Sequence, residues 1–341
     1  NSVSAPSQNR VDPKEDLVAA AARGDAGRLA ELLREGLSVN DRNEAGTTPL
    51  IQAVANGHRS LALTLLVLGA DPAAKDADGR TMLMHAAAAA DHEFLSRYYE
   101  LYRISWDRDV TARKERLRAL AGIDRSLLAD ADVDLVRLDR NGLELQTDAL
   151  GETASLKAAR VGDWESFRLV ANHVDSLRAR GKDGRNAVMH LAAQGTLAPF
   201  VQLRDARQFG QAGSRRGFVG AWVALDVDQL AVRDGEGKTA LQLARENGHT
   251  EVADILERHL LKLAGILTDD VERIAASGLT DRELTEEALY QTSVPNEAEV
   301  ERRKRVTRAV LRQRLETRAL AWEALGEIEK AKEDRMRAVA P

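Results

Sequence analysis

The sequence predicts an all-α solenoid of short helical hairpins, interrupted twice by irregular insertions and closed by a C-terminal helical extension. Three observations predict it. A glycine-led motif returns at an interval of 33 residues, a second glycine follows eleven residues behind it, and aromatics make up only 4% of a chain that is 44% apolar. A fixed period of this length is the mark of a repeat architecture. A chain rich in Ala, Leu and Val but poor in large side chains suits thin layers of stacked helices better than one broad core.

The period is carried by named residues. Gly46 opens Gly-Thr-Thr-Pro-Leu and Gly79 opens Gly-Arg-Thr-Met-Leu, and the same start recurs at Gly151, Gly184 and Gly237. The trailing glycines are Gly57, Gly162, Gly195 and Gly248, with Ala90 in the equivalent place after Gly79. Gly24 falls 33 residues before Gly57 and signals a first repeat whose own start is missing. Thr48, Thr81, Thr153 and Thr239 stand where a helix begins, as side chains able to accept from its orphan amides, and Pro49 suits the first turn. Ala53, Ala86, Ala158 and Ala244 lie inside that helix, where small side chains permit close approach. The second glycine then ends it in a left-handed turn. A longer second helix follows, with leucines at helical spacing in Leu29, Leu32 and Leu33 and in Leu61, Leu65 and Leu66. It is expected to pack antiparallel on the first.

On these residues the chain resembles the ankyrin repeat family. Gly46–His58 and Gly237–His249 match the family's first-helix motif, and Gly69–Asp71 matches its inter-repeat loop. The resemblance covers about residues 14–91 and 141–261 and implies an ankyrin-repeat solenoid. It departs from the family after Thr-Pro-Leu, where the usual histidine is replaced by Ile51, Met84, Leu156, Met189 and Gln242. Cohesion between repeats is therefore expected to rest on apolar packing. The family also implies a groove, built from loop tips and first helices, that docks another protein. Carried over by position, the tips supply Glu44, Thr47, Asp78, Arg80, Glu152, Lys182, Arg185, Glu236 and Lys238. The helix side supplies Asn56, His85, Arg160, His190, Gln194 and Glu246.

The period fails twice. Gly79 and Gly151 are 72 residues apart, so about residues 92–140 are expected to form a helical insertion or degenerate repeat. Tyr98, Tyr102 and Trp106 lie four apart there, readable either as a core stripe or as a partner-binding patch, since Tyr and Trp give large contact area at low entropic cost. Gly184 and Gly237 are 53 residues apart, leaving a second insertion at about 204–224. Arg215, Arg216, Phe218 and Trp222 give that loop a basic and aromatic character, readable as a binding loop or as a surface excursion. The remaining segments are a leader at 1–13, repeats at 14–91 and 141–263, and a helical tail at 264–341. Within the tail, Glu297 to Leu325 lacks glycine and proline and reads as one long helix. Arg314 to Pro341 resembles a single tetratricopeptide hairpin, readable also as a cap on the solenoid.

Composition narrows the function. Lys and Arg total 49 against 54 Asp and Glu, a net charge of −5, which argues against nucleic acid as the partner. The absence of cysteine removes disulfides, thiolate metal sites and cysteine nucleophiles. No phosphate-cradling loop, dinucleotide fingerprint, nucleophile elbow or paired-histidine metal motif occurs. Asp130, Asp132 and Asp134 alternate but lack the glycine and glutamate of a calcium loop. No apolar run approaches the ~18–20 residues of a membrane span. Asn1 to Pro13 is small, polar and aperiodic, as a leader left after signal removal would be, or an arbitrary chain boundary. The expectation is a non-enzymatic, cofactor-free protein-binding scaffold of bacterial type. It would block or hold one dedicated protein partner, as an immunity protein or adaptor for a secreted toxin does. A periplasmic or exported location is favoured over a cytoplasmic one, and the oligomeric state stays open. The alternatives are an effector that mimics host ankyrin proteins and an enzyme with its site in the insertions.

Overall fold

A computed structural model describes residues 12–107, 109, 111, 112, 116, 117, 120, 142–171, 174–205, 225, 227–277 and 297–339. Every element among them is a helix. The chain divides into two compact units, with the boundary between Lys182 and Asp183.

The first unit is built of hairpins: α1 (Pro13–Arg23) with α2 (Ala26–Arg34), α3 (Pro49–Ala55) with α4 (Arg59–Val67), α5 (Met82–Ala88) with α6 (His92–Ser105), and α7 (Ala154–Val161) with α8 (Trp164–Val170). A 3-10 turn at Leu143–Leu145 and a short α9 (Val174–Arg178) complete it. The first helices start as the sequence suggests: the Thr48 and Thr153 hydroxyls accept from the amides of Ile51 and Leu156. Thr81 makes no such bond, which corrects the expectation there. The caps of the second helices were not foreseen. Asp25, Asp91 and Asp163 each accept a first-turn amide with a side-chain oxygen.

The first helices stack in order, α1 on α3, α3 on α5 and α5 on α7. Ile51, Met84 and Leu156, which replace the family's histidine, are buried in the stack with the alanines Ala53, Ala86 and Ala158. Cohesion is apolar here, as expected. The direct contact of α5 with α7 means that the long interval between Gly79 and Gly151 does not separate their repeats. The Ala149 amide donates to the Asp78 carbonyl at 2.9 Å, joining the two tips. The segment 92–140 is also corrected at its start. Helix α6 packs on α4, α5 and α8, so His92–Ser105 is the second helix of the third repeat and the extra residues come after it.

The second unit contains α10 (Ala187–Gln194), α11 (Leu197–Asp205), α12 (Val227–Leu230), α13 (Ala240–Glu246), α14 (Thr250–Ser277), α15 (Glu297–Leu325) and α16 (Ile328–Val339). Asn186 caps α10 by accepting from Met189, and Thr239 with Gln242 forms a capping box on α13. Gln242 thus serves its own helix start. Helix α10 packs on α13 and α11 on α14, so these repeats too adjoin across an interval of 53 residues. Helix α14 is 28 residues long and runs unbroken through the boundary expected at 263/264. Its second half buries Ala264 and Leu267 against Val227 and Ala321, with Trp322 and Leu320 alongside. The extension is therefore grafted on the last repeat by continuing a helix. Helices α15 and α16 form a hairpin turned at Gly326, and Arg318 meets Asp334 across it.

Candidate functional site

At Gly46, Gly79, Gly151 and Gly237 the tips are organised by the residue three places ahead of the start glycine. Asp76 accepts from the amides of Asp78 (3.0 Å) and Arg80 (2.8 Å), Asp148 from Leu150 (2.8 Å) and Glu152 (2.9 Å), and Asp234 from Glu236 (3.0 Å) and Lys238 (2.9 Å). Asn43 plays the part with the Thr47 amide at 3.0 Å. Such side-chain bonds to nearby amides fix a turn without help from a neighbouring element. Sequence reasoning missed these four residues. Their signal was available, because Asn or Asp stands at the same offset from Gly46, Gly79, Gly151 and Gly237.

The floor is tied to the rim by the residue six places after the start glycine. His85 donates from Nε2 to Asp76 at 2.8 Å. Lys157 reaches Asp148 at 2.7 Å and Glu152 at 3.0 Å. In the second unit, His190 Nε2 lies 3.6 Å from an Asp183 carboxylate oxygen. Burial pushes the Asp76 carboxyl up, but the Arg80 amide, the His85 imidazole and the Asp78 amide together hold it below the usual range. Asp234 is likewise raised by burial and brought below the usual range by the Lys238 amide, the Arg185 guanidinium and the Glu236 amide.

The expected contact residues fall into four groups. Asp78 and Glu236 stand out from their tips with side chains 64% and 67% exposed. Glu44, Lys182 and Gln194 are exposed as well, as is Asn56, whose side-chain amide donates to the Gln52 carbonyl. A second group is engaged by carboxylates of the chain itself. Arg80 pairs with Asp78, Arg160 with Glu152, Arg185 with Asp234, and Lys238 with both Glu236 and Glu246. Glu246 and then Glu236 raise the Lys238 ammonium above its ordinary range.

The third group is corrected. Thr47, Glu152, His190 and Tyr98 are buried and present no side-chain surface to a partner. Thr47 and Glu152 turn inward because the tip closes over them, and Glu152 is consumed by Lys157 and Arg160. The aromatic stripe divides along α6: Tyr98 is core, Tyr102 is half-buried, and Trp106 is 47% exposed with its ring 6.3 Å from that of Tyr102. The fourth group, Arg215, Arg216, Phe218 and Trp222, lies outside the described residues, as do Asp130, Asp132 and Asp134. No cluster of His, Asp and Glu suited to a metal ion occurs among the described residues. No helix among them is long and apolar enough to cross a membrane.

Each unit therefore presents turns fixed by their own side chains and carrying charged groups, and in the first unit His85 and Lys157 pin the floor of short helices to that rim. Such a surface is preorganised for docking with little movement. A family model described as ankyrin repeats, in three copies, matches residues 17–98. A potassium channel of Arabidopsis thaliana, AKT2/3, is 33% identical over 89 residues, which is 26% of this chain and 10% of the channel. Among solved structures, an ankyrin repeat protein is 20% identical with a TM-score of 0.45, over 72% of this chain and 98% of its own. An ankyrin repeat domain from Acinetobacter baumannii is 21% identical with a TM-score of 0.41, over 71% of this chain and 96% of its own.

Proposed function

With residues 17–98 identified as ankyrin repeats, we propose that this chain is a non-enzymatic scaffold that grips one dedicated protein partner. The observation that carries the reading is the construction of the tips. Asn43, Asp76, Asp148 and Asp234 hold their turns through buried or half-buried side chains, while neighbouring carboxylates such as Asp78 and Glu236 face solvent. Fixed backbone beneath exposed charged side chains favours specificity through charge complementarity, with affinity left to apolar anchors. Trp106 is the aromatic anchor available in the first unit.

The finer reading is a bacterial protein that blocks or holds its partner, as an immunity protein or an adaptor for a secreted toxin would. Its support is the irregularity of the array. Regular repeats are generic, whereas the sequence departs from the period between Gly79 and Gly151 and between Gly184 and Gly237, as a scaffold specialised for one ligand would. The experiment is cross-linking of the full chain in its native cell, identification of the partner, and titration of that partner against the triple variant R80E/K182E/K238E. Affinity should fall at least about tenfold, the loss of ~1.4 kcal/mol expected when rim charges become repulsive, with helicity and melting preserved. Equal affinity of variant and wild type moves the interface off the tips.

A further inference from the structure

One strongly charged surface belongs to the long helix α15, outside the repeats. Residues 302–314 hold seven arginines and lysines and no Asp or Glu, in a chain whose net charge is −5. Arg305, Arg308 and Arg312 are spaced by three and four residues, which puts them on one face of the helix. All three are exposed. Thr307 and Arg318, on the far side of the helix, are buried, so the arginine ridge points away from the rest of the unit; Leu315 and Ala319 continue the line of the ridge and are covered only beyond Arg312. Arg312 shares Glu316 at 2.9 Å, an exposed pair within its own helix. No carboxylate lies within ion-pairing distance of Arg305 or Arg308 among the described residues.

We infer that this ridge docks an acidic segment of a partner protein, one with carboxylates spaced along a stretch of about 10 Å, the rise of seven helical residues. The inference deepens the scaffold reading by giving a chemistry to part of the partner, and it rests on that reading. Three features favour an acidic polypeptide over other polyanions. Every cation of the described ridge is a guanidinium, whose planar fork matches a carboxylate bidentately. The exposed stretch offers only Val306 as a large apolar side chain, too little to enter a lipid surface. It carries no aromatic ring for stacking on bases, since Trp322 lies in the apolar cluster with Ala264 and Leu267.

The test uses the full chain and a fluorescein-labelled helical peptide with glutamates at alternating intervals of three and four, beside the same peptide carrying glutamines. The wild type should bind the glutamate peptide and not its glutamine form, more weakly as ionic strength rises. R305E/R308E should lose at least about tenfold in affinity with an unchanged circular dichroism spectrum, and R305K/R308K should lose part of it. Indifference to the glutamates, or full binding by R305E/R308E, overturns the proposal. So does tighter binding of duplex DNA or phosphatidylserine vesicles through the same two arginines. If the tip variants release the partner while R305E/R308E retains it, the ridge proposal fails and the scaffold reading stands. The converse result relocates the interface from the tips to α15.

Discussion

Ala90 occupies the place that glycine holds in the other repeats, and its φ of 55° shows that the chain makes the same left-handed turn there without a glycine. An L side chain in that conformation costs roughly 1–2 kcal/mol, against about 0.5–1 kcal/mol of extra chain entropy lost when a glycine is ordered. A90G should therefore stabilise the first unit by about 0.5–1 kcal/mol, read as a rise in urea midpoint, and a lower midpoint would sink the strain argument. The opposite holds at Gly195, with φ 70°, where an added Cβ would sit 2.4 Å from His249 Nδ1. That ring is fixed by donation from Nε2 to the Ala193 carbonyl at 3.0 Å, so it has little freedom to yield. G195A should cost about 2 kcal/mol or more, while G248A, whose Cβ would meet nothing within 4 Å, should cost only the conformational strain of about 1–2 kcal/mol. If the two glycines prove equal in urea titration, the histidine is not what demands Gly195. The spacing of these glycines was readable in the sequence, but the ring lying over Gly195 joins residues 54 apart and has no local signature.

At the scale of helices, legibility followed the range of the forces that define each boundary. Starts and stops of the first helices depend on residues within a turn, and Thr48, Thr153 and Thr239 behave as their position suggests. The end of the last repeat depends on what packs against α14, and Gly265 beside the 263/264 boundary does not break the helix; it continues because α12 and α15 bury Ala264 and Leu267. The same limit hid the ion pair that sets the register of the C-terminal hairpin. Arg318 donates from Nε to Asp334 at 2.8 Å and pairs with it through a second nitrogen, with both side chains less than a tenth exposed. Breaking a buried pair from one side strands a charge, at a cost of about 3–5 kcal/mol, whereas replacing both partners by apolar groups of similar volume is often near neutral. R318M and D334L should each destabilise the second unit by about 3 kcal/mol or more, and R318M/D334L by much less than their sum. Additive losses in the double-mutant cycle would show that the two side chains act separately.

The tip residues illustrate why the contact surface was harder to read than the repeat. Position relative to the start glycine brings Asp78, Arg80, Glu236 and Lys238 to the tips, but exposure depends on partners from elsewhere, and Glu152 was lost to Lys157 and Arg160 for that reason. The same partners make the whole molecule sensitive to acid, in two stages that titration can separate. His259 stands on α14, where burial pushes its imidazole below the ordinary value, the Leu225 carbonyl at 3.2 Å opposes this, and Lys262 adds to the depression. The folded chain then binds fewer protons than the unfolded one below about pH 6.5, so stability is complete above that value and falls as pH drops toward the folded value. Asp76 and Asp234, both depressed, contribute stability that is complete above the unfolded carboxylate value of about 4 and is lost as pH falls through their folded values. Urea midpoints followed downward from pH 8 should decline first in the second unit near pH 6 and again in both units below about pH 4. H259Q should abolish the upper limb and leave the lower one, while D76N should shrink the lower limb for the first unit alone. An upper limb that survives H259Q would assign it to another group.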